Sequence, residues 1–100
     1  MQYDAIDESL VEDVSQIFKA LSDPTRIKIL HLLFQQECSV TEIAEQLKMN
    51  QSAISHQLKY LKQLHLVKKR RDKTMSYYSP DDYHVMNVLE QTIEHSKHTS

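Results

Sequence analysis

Glycine is absent from this 100-residue chain, tryptophan is absent too, and the only prolines are Pro24 and Pro80. Tight β-hairpins lean on glycine at positive φ, so its absence argues against a hairpin-rich β fold and for a mostly helical one. A single cysteine, Cys38, has no internal partner for a disulfide, which suits a reducing, cytoplasmic setting. No apolar run approaches the roughly 18 residues of a membrane span. The acidic start MQYDAIDESL is unlike a signal peptide, so no membrane partner is expected. Nothing repeats, and no segment is low in complexity. A chain of this length makes one domain and buries only about two-thirds of its unfolded surface, so it gains from a partner subunit.

The net charge of −2 argues, as an average, against nucleic acid. The average hides a dipole. Residues 48–73 carry Lys48, Lys59, Lys62, Lys68, Lys69, Arg70, Arg71 and Lys73 against Asp72 alone, and the rest of the chain is strongly acidic. Lys59 and Lys62 by themselves are an ordinary solvated face. The whole run, on a segment that also carries a motif, has the character of a polyanion footprint.

Apolar spacing predicts the elements. Ile6, Leu10, Val14, Ile17, Phe18 and Leu21 place a first helix over about residues 7–21. Asp23-Pro24 opens a second, with aspartate as cap and proline in the first position; it is apolar nearly all round and belongs at the centre of the core. Ser39-Val40-Thr41-Glu42 reads as a capping box for a short helix to Leu47, and Asn50 caps the next, which runs to about Leu64. Two short helices joined so closely form a helix-turn-helix over about 39–64. Any helical protein contains short turns, but here a β-hairpin follows over about 66–79. Leu66-Val67-Lys68-Lys69-Arg70-Arg71, a polar tip at Asp72-Lys73, and Thr74-Met75-Ser76-Tyr77-Tyr78-Ser79 read as strand, turn, strand. Without glycine the tip is expected to be a type I turn or a longer loop. Ser79-Pro80-Asp81-Asp82 then reads as the cap and first turn of a last helix over about 80–97, with Val85, Val88, Leu89, Thr92 and Ile93 on one stripe. The fold expected is mostly α with a small β-hairpin wing: a winged helix-turn-helix, homodimeric through its first and last helices. The alternative is that both terminal helices fold back onto one core.

Gln51, Ser52, Ser55 and His56 fall on the early, exposed part of the second helix of the motif, where side chains reach base edges in the major groove. Each alone passes for solvated surface. Taken with Lys59 and with Lys69, Arg70, Arg71 and Lys73 of the wing, they point to double-stranded DNA. No nucleophile–base pair and no phosphate loop stands in the sequence, so an enzyme is not expected.

The stretch Asn50-Gln51-Ser52-Ala53-Ile54-Ser55-His56-Gln57-Leu58-Lys59-Tyr60-Leu61-Lys62 resembles the recognition helix of the ArsR/SmtB family of bacterial metal-sensing repressors. Upstream, Phe18-Lys19-Ala20-Leu21-Ser22-Asp23-Pro24-Thr25-Arg26-Ile27 is similar to the way that family enters its second helix. The resemblance runs from about residue 11 to 98. It implies a homodimeric repressor that holds operator DNA when metal-free and lets go when metal binds. Some members use two cysteines at the start of the third helix. Here Glu37-Cys38-Ser39-Val40-Thr41-Glu42 puts Ser39 and Thr41 in those places, with Cys38 out of register. Soft-metal sensing there is not expected, and Cys38 reads as a small buried hydrophobe, with thiol oxidation as the alternative signal.

The last helix carries Asp82 and His84 at its start and His95 and His98 at its end. Each pair also suits the helix dipole without any metal. His84 and His95 share a face but lie about 16 Å apart along a helix, too far for one ion with ~2 Å bonds. Antiparallel pairing across a two-fold would bring Asp82 and His84 of one protomer to His95 and His98 of the other. In a regular helix, residues two apart diverge, so spacing leaves the convergence of Asp82 with His84 open. The resemblance to the zinc- and cobalt-sensing CzrA/SmtB branch implies it. Three imidazoles and a carboxylate suit Zn(II) or Co(II) and leave no open position for hydrolysis. That branch also implies a relay from His95 to the end of the recognition helix at about His65, through its backbone carbonyl.

Overall fold

The computed structural model describes residues 1–99. Among them the order is α1 (Glu8–Leu21), α2 (Pro24–Gln35), β1 (Cys38–Ser39), α3 (Val40–Leu47), α4 (Gln51–Gln63), β2 (Val67–Asp72), β3 (Met75–Pro80) and α5 (His84–Thr99). Of the four caps expected from sequence, those of Asp23, Ser39 and Asn50 are made. Asp23 Oδ2 accepts from the Arg26 amide at 3.1 Å and Asn50 Oδ1 from the Ala53 amide at 2.8 Å. Ser39 and Glu42 close a reciprocal capping box. Each satisfies amides that the helix itself leaves unpaired, at about 1 kcal/mol apiece.

The sheet has three strands in the order β1-β3-β2, all antiparallel. β1 is not legible in the sequence: two residues cannot show an alternation. Ser39 serves twice, its side chain capping α3 while its residue pairs with Tyr77. The wing closes more tightly than expected. Asp72 faces Met75, so only Lys73 and Thr74 connect the strands, and Lys73 takes φ 58°. A two-residue connection needs positive φ at its first position to match the strand twist, and lysine accepts it here in place of glycine.

The last helix starts later than the sequence suggests. Pro80 is not its first residue and Ser79 is not its cap; both belong to β3, with Pro80 opposite Val67 and buried. Burial against the core and pairing with β2 extend the strand, and the Asp81 amide donates to the Leu66 carbonyl at 3.1 Å. Ahead of the helix Asp82 Oδ1 accepts from the His84 amide at 2.9 Å.

The core is built from Ile29, Leu30 and Leu33 of α2, Ile43 and Ala44 of α3, Ile54, Leu58 and Leu61 of α4, and Leu66 and Val67 entering β2. The terminal helices contribute less: Ala20 from α1, Met86 and Leu89 from α5. α1 leaves Leu10 50% and Phe18 56% exposed, and α5 leaves Val88 45% exposed.

Candidate nucleic-acid interface and metal centre

α3 ends on Lys48, whose left-handed backbone (φ 57°) turns the chain within two residues into the Asn50 cap of α4. Ile54, Leu58 and Leu61 anchor α4 on the core. The opposite face then presents Gln51, Ser52, Ser55, His56 and Lys59, all exposed. At the far end of α4 the His65 amide donates to the Lys62 carbonyl at 3.0 Å and the Leu66 amide to Leu61 at 3.0 Å. His65 itself, at φ 59°, redirects the chain into the wing.

In the wing Lys69, Arg70, Arg71 and Lys73 are all exposed. Arg70 differs from the other three in its partners. It donates from Nε and Nη2 to the two carboxylate oxygens of Glu37, at 3.1 and 2.8 Å, and lies 5.0 Å over the Tyr77 ring. The Glu37 carboxyl is held below its ordinary range by those hydrogen bonds. A fork-to-carboxylate contact of this kind fixes direction as well as charge. Arg70 therefore braces the wing against the segment leading into β1, a role invisible in sequence because Glu37 lies 33 residues away.

At the start of α5, Asp82 lies outside the helix, and this resolves the divergence that spacing alone predicts. Its Oδ1 is 3.6 Å from His84 Nδ1, with both side chains open to solvent. Asp82 and His84 thus converge within one chain. His95 and His98 sit on the last turns of the same helix, exposed and three residues apart. Among the described residues of one chain, no group of three His, Cys, Asp or Glu side chains comes together as a metal site. His95 makes no hydrogen bond to His65 within the chain; its carbonyl accepts from Thr99 Oγ1 at 3.3 Å. His65 instead lines a concavity of about 330 Å³ with Asp13, Gln16, Ile17, Gln63 and Leu64, between α1 and the end of α4. Cys38 is 2% exposed, its thiol pushed up by burial first and then by Glu42 and Glu37.

A helix-turn-helix whose second helix shows a polar outer face, followed by a basic hairpin, defines a winged helix-turn-helix protein. The chain belongs to the ArsR family of bacterial regulatory proteins, a family of transcription regulators and not of enzymes; the family profile matches residues 23–69. It is 39% identical to a transcriptional repressor SmtB homolog from Synechocystis sp., over 84% of this chain and 64% of that one. It is 39% identical to the HTH-type transcriptional regulator NmtR from Mycobacterium tuberculosis, over 93% of this chain and 78% of that one. Among solved structures, the homodimeric winged helix-turn-helix DNA-binding domain Mb0332 from Mycobacterium bovis superposes with a TM-score of 0.84 at 30% identity. That match covers 95% of this chain and 91% of the other. No helix among the described residues is long and apolar enough to cross a membrane.

Proposed function

We propose that this chain is a homodimeric, cytoplasmic transcriptional repressor that binds double-stranded operator DNA when metal-free. Zn(II) or Co(II), held between protomers by Asp82 and His84 of one and His95 and His98 of the other, releases it. The observation that carries this reading is the pairing of Asp82 with His84 at the solvent-open start of α5. It makes half of a ligand set whose complement, His95 and His98, sits at the other end of the same helix. The donor types fit a tetrahedral ion: imidazoles and a carboxylate, the latter with Oδ2 free of hydrogen bonds among the described residues. The exposed apolar side chains of α1 and α5 support the dimer that such a site requires.

When bound, the ion supplies a cross-link between the two α5 helices. The chain's own residues do the rest. Gln51, Ser52, Ser55 and His56 face the base edges, with Lys59, Lys69, Arg71 and Lys73 toward phosphate. Arg70 holds the wing at its angle. Half-sites one DNA turn apart demand a fixed distance between recognition helices, so a change of angle between protomers removes one of them from its groove. His95 toward the His65 carbonyl is the route by which the site reaches α4. Metal and operator then each weaken the other's binding by the same factor.

The thiol alternative loses support, because a buried cysteine with a raised pKa is neither exposed nor a ready thiolate. Co(II) titration tests the site: intense visible bands saturating at one ion per protomer, without sulfur charge transfer, are expected. His95→Ala should keep metal-free operator binding and lose zinc-driven release. Zinc release persisting in that variant would overturn the assignment.

A further inference from the structure

Among the described residues one cation is placed unlike all the others. Arg26, in the first turn of α2, is half-buried and forms no ion pair with a carboxylate. Its guanidinium instead reaches two other helices, α1 and α4. Nε donates to the Ala20 carbonyl at 2.9 Å and Nη2 to the Lys19 carbonyl at 3.5 Å, both in the last turn of α1. Nη1 donates to Gln57 Oε1 at 3.3 Å, and the guanidinium carbon lies 4.6 Å from the centre of the Tyr60 ring. Gln57 and Tyr60 are three apart on α4 and share its half-buried flank, beside the exposed side chains that face DNA.

The placement makes physical sense for a cation. The carbonyl end of α1 carries the negative end of the helix dipole, and the face of Tyr60 is the negative face of its quadrupole. A planar fork of donors then imposes direction: the bond to Ala20 is short at 2.9 Å, whereas those to Gln57 and Lys19, at 3.3 and 3.5 Å, are already long and have little further stretch to give. A shift of roughly 1 Å of α1 against α4 breaks at least one of them. α1 is the helix with the open apolar stripe, and α4 is the helix with the outward polar face.

We propose that Arg26 is a positioning residue that ties the orientation of the recognition helix α4 to the end of the dimerisation helix α1, so that the angle between protomers is read out in operator binding. This rests on the repressor reading above and deepens it. It adds a link inside each protomer, independent of the α5 histidines. Arg26 contacts no DNA in this arrangement; it acts through Gln57 and Tyr60.

The test uses the full chain with Arg26→Met, Arg26→Lys and Gln57→Met. The last leaves the bonds to α1 intact and removes only the polar link to α4. Operator affinity is measured across a salt series, with and without zinc, alongside thermal unfolding to confirm folding. Expected for Arg26→Met is metal-free affinity lower by about ten-fold or more, with the slope of log affinity against log salt unchanged because no phosphate contact is lost. The ratio of metal-free to zinc-loaded affinity should also shrink, a readout that a loss of stability alone does not move. Gln57→Met should reproduce that smaller ratio, and Arg26→Lys, which keeps charge and one donor direction, should recover part of it. A salt slope lower by about one unit would make Arg26 a phosphate contact and overturn the proposal. So would a wild-type ratio in both Arg26→Met and Gln57→Met. Absence of zinc-driven release in the wild type would instead overturn the sensor reading, and unchanged metal-free affinity in Arg26→Met would then sink the positioning role as well.

Discussion

The middle of this chain and its two ends are built to different standards. From α2 through β3, all the large aliphatic side chains but Met75 at the wing tip find partners within the chain: Ile29, Ile43, Ile54, Leu58 and Leu61 are fully buried. The ends are not closed in this way. Ile6, Leu10, Val14 and Phe18 form a stripe at helical spacing that stays exposed, and Val88 of α5 joins it beside Phe18 in a shallow concavity with Leu21, Ile27 and Thr92. The winged helix-turn-helix unit is thus self-sufficient, whereas the terminal helices keep apolar surface for something outside the chain. A second copy would meet that need, and the Mb0332 domain that this fold superposes on is homodimeric.

The strongest way to break this contrast is to charge the open stripe. Leu10→Glu with Phe18→Glu should give a folded monomer by sedimentation, with operator affinity lower by ~10²–10⁴-fold as bivalent binding is lost. A persisting dimer would place the interface elsewhere. Next comes the core: Leu58→Ala should cost about 2–5 kcal/mol of stability, since the cavity is enclosed. Leu10→Ala should instead cost less stability and raise the dimer dissociation constant in sedimentation, because that side chain is 50% exposed within the single chain. Within the DNA-facing unit, Lys69→Ala should flatten the salt dependence of operator binding by about one unit. Arg70→Ala should change that slope less, because its charge is already matched by Glu37; equal slopes would return Arg70 to the phosphate footprint. The smallest effect expected is from Lys48→Gly, which relieves a left-handed lysine (φ 57°) and should raise stability by about 1 kcal/mol in thermal unfolding. No gain there would mean that the lysine side chain itself supports the turn.

Much of this was legible along the chain. Asp23-Pro24, Ser39 with Glu42, and Asn50 mark helix starts because capping is chemistry between residues two or three apart. The exposed set on α4 follows from the apolar period that buries Ile54, Leu58 and Leu61 on the other side. The metal candidates Asp82, His84, His95 and His98 stand out as residue types at telling spacings, but spacing said that Asp82 and His84 diverge. Only the displacement of the helix start from Pro80 to His84 brings them together, and that depends on how far β3 runs along its neighbour.

The sequence by itself determined the first four helices, the caps of α2, α3 and α4, the basic wing and the residues that face outward from α4, because each rests on local periodicity or short-range hydrogen bonding. Tertiary structure alone decided the two-residue strand β1, the end of β3, the Glu37–Arg70 brace and the grip of Arg26 on α1 and α4. Each of these joins groups far apart along the chain or spends a residue's local preference on a distant partner. Local propensity amounts to a few tenths of a kcal/mol to about one per residue, less than the burial and pairing that override it.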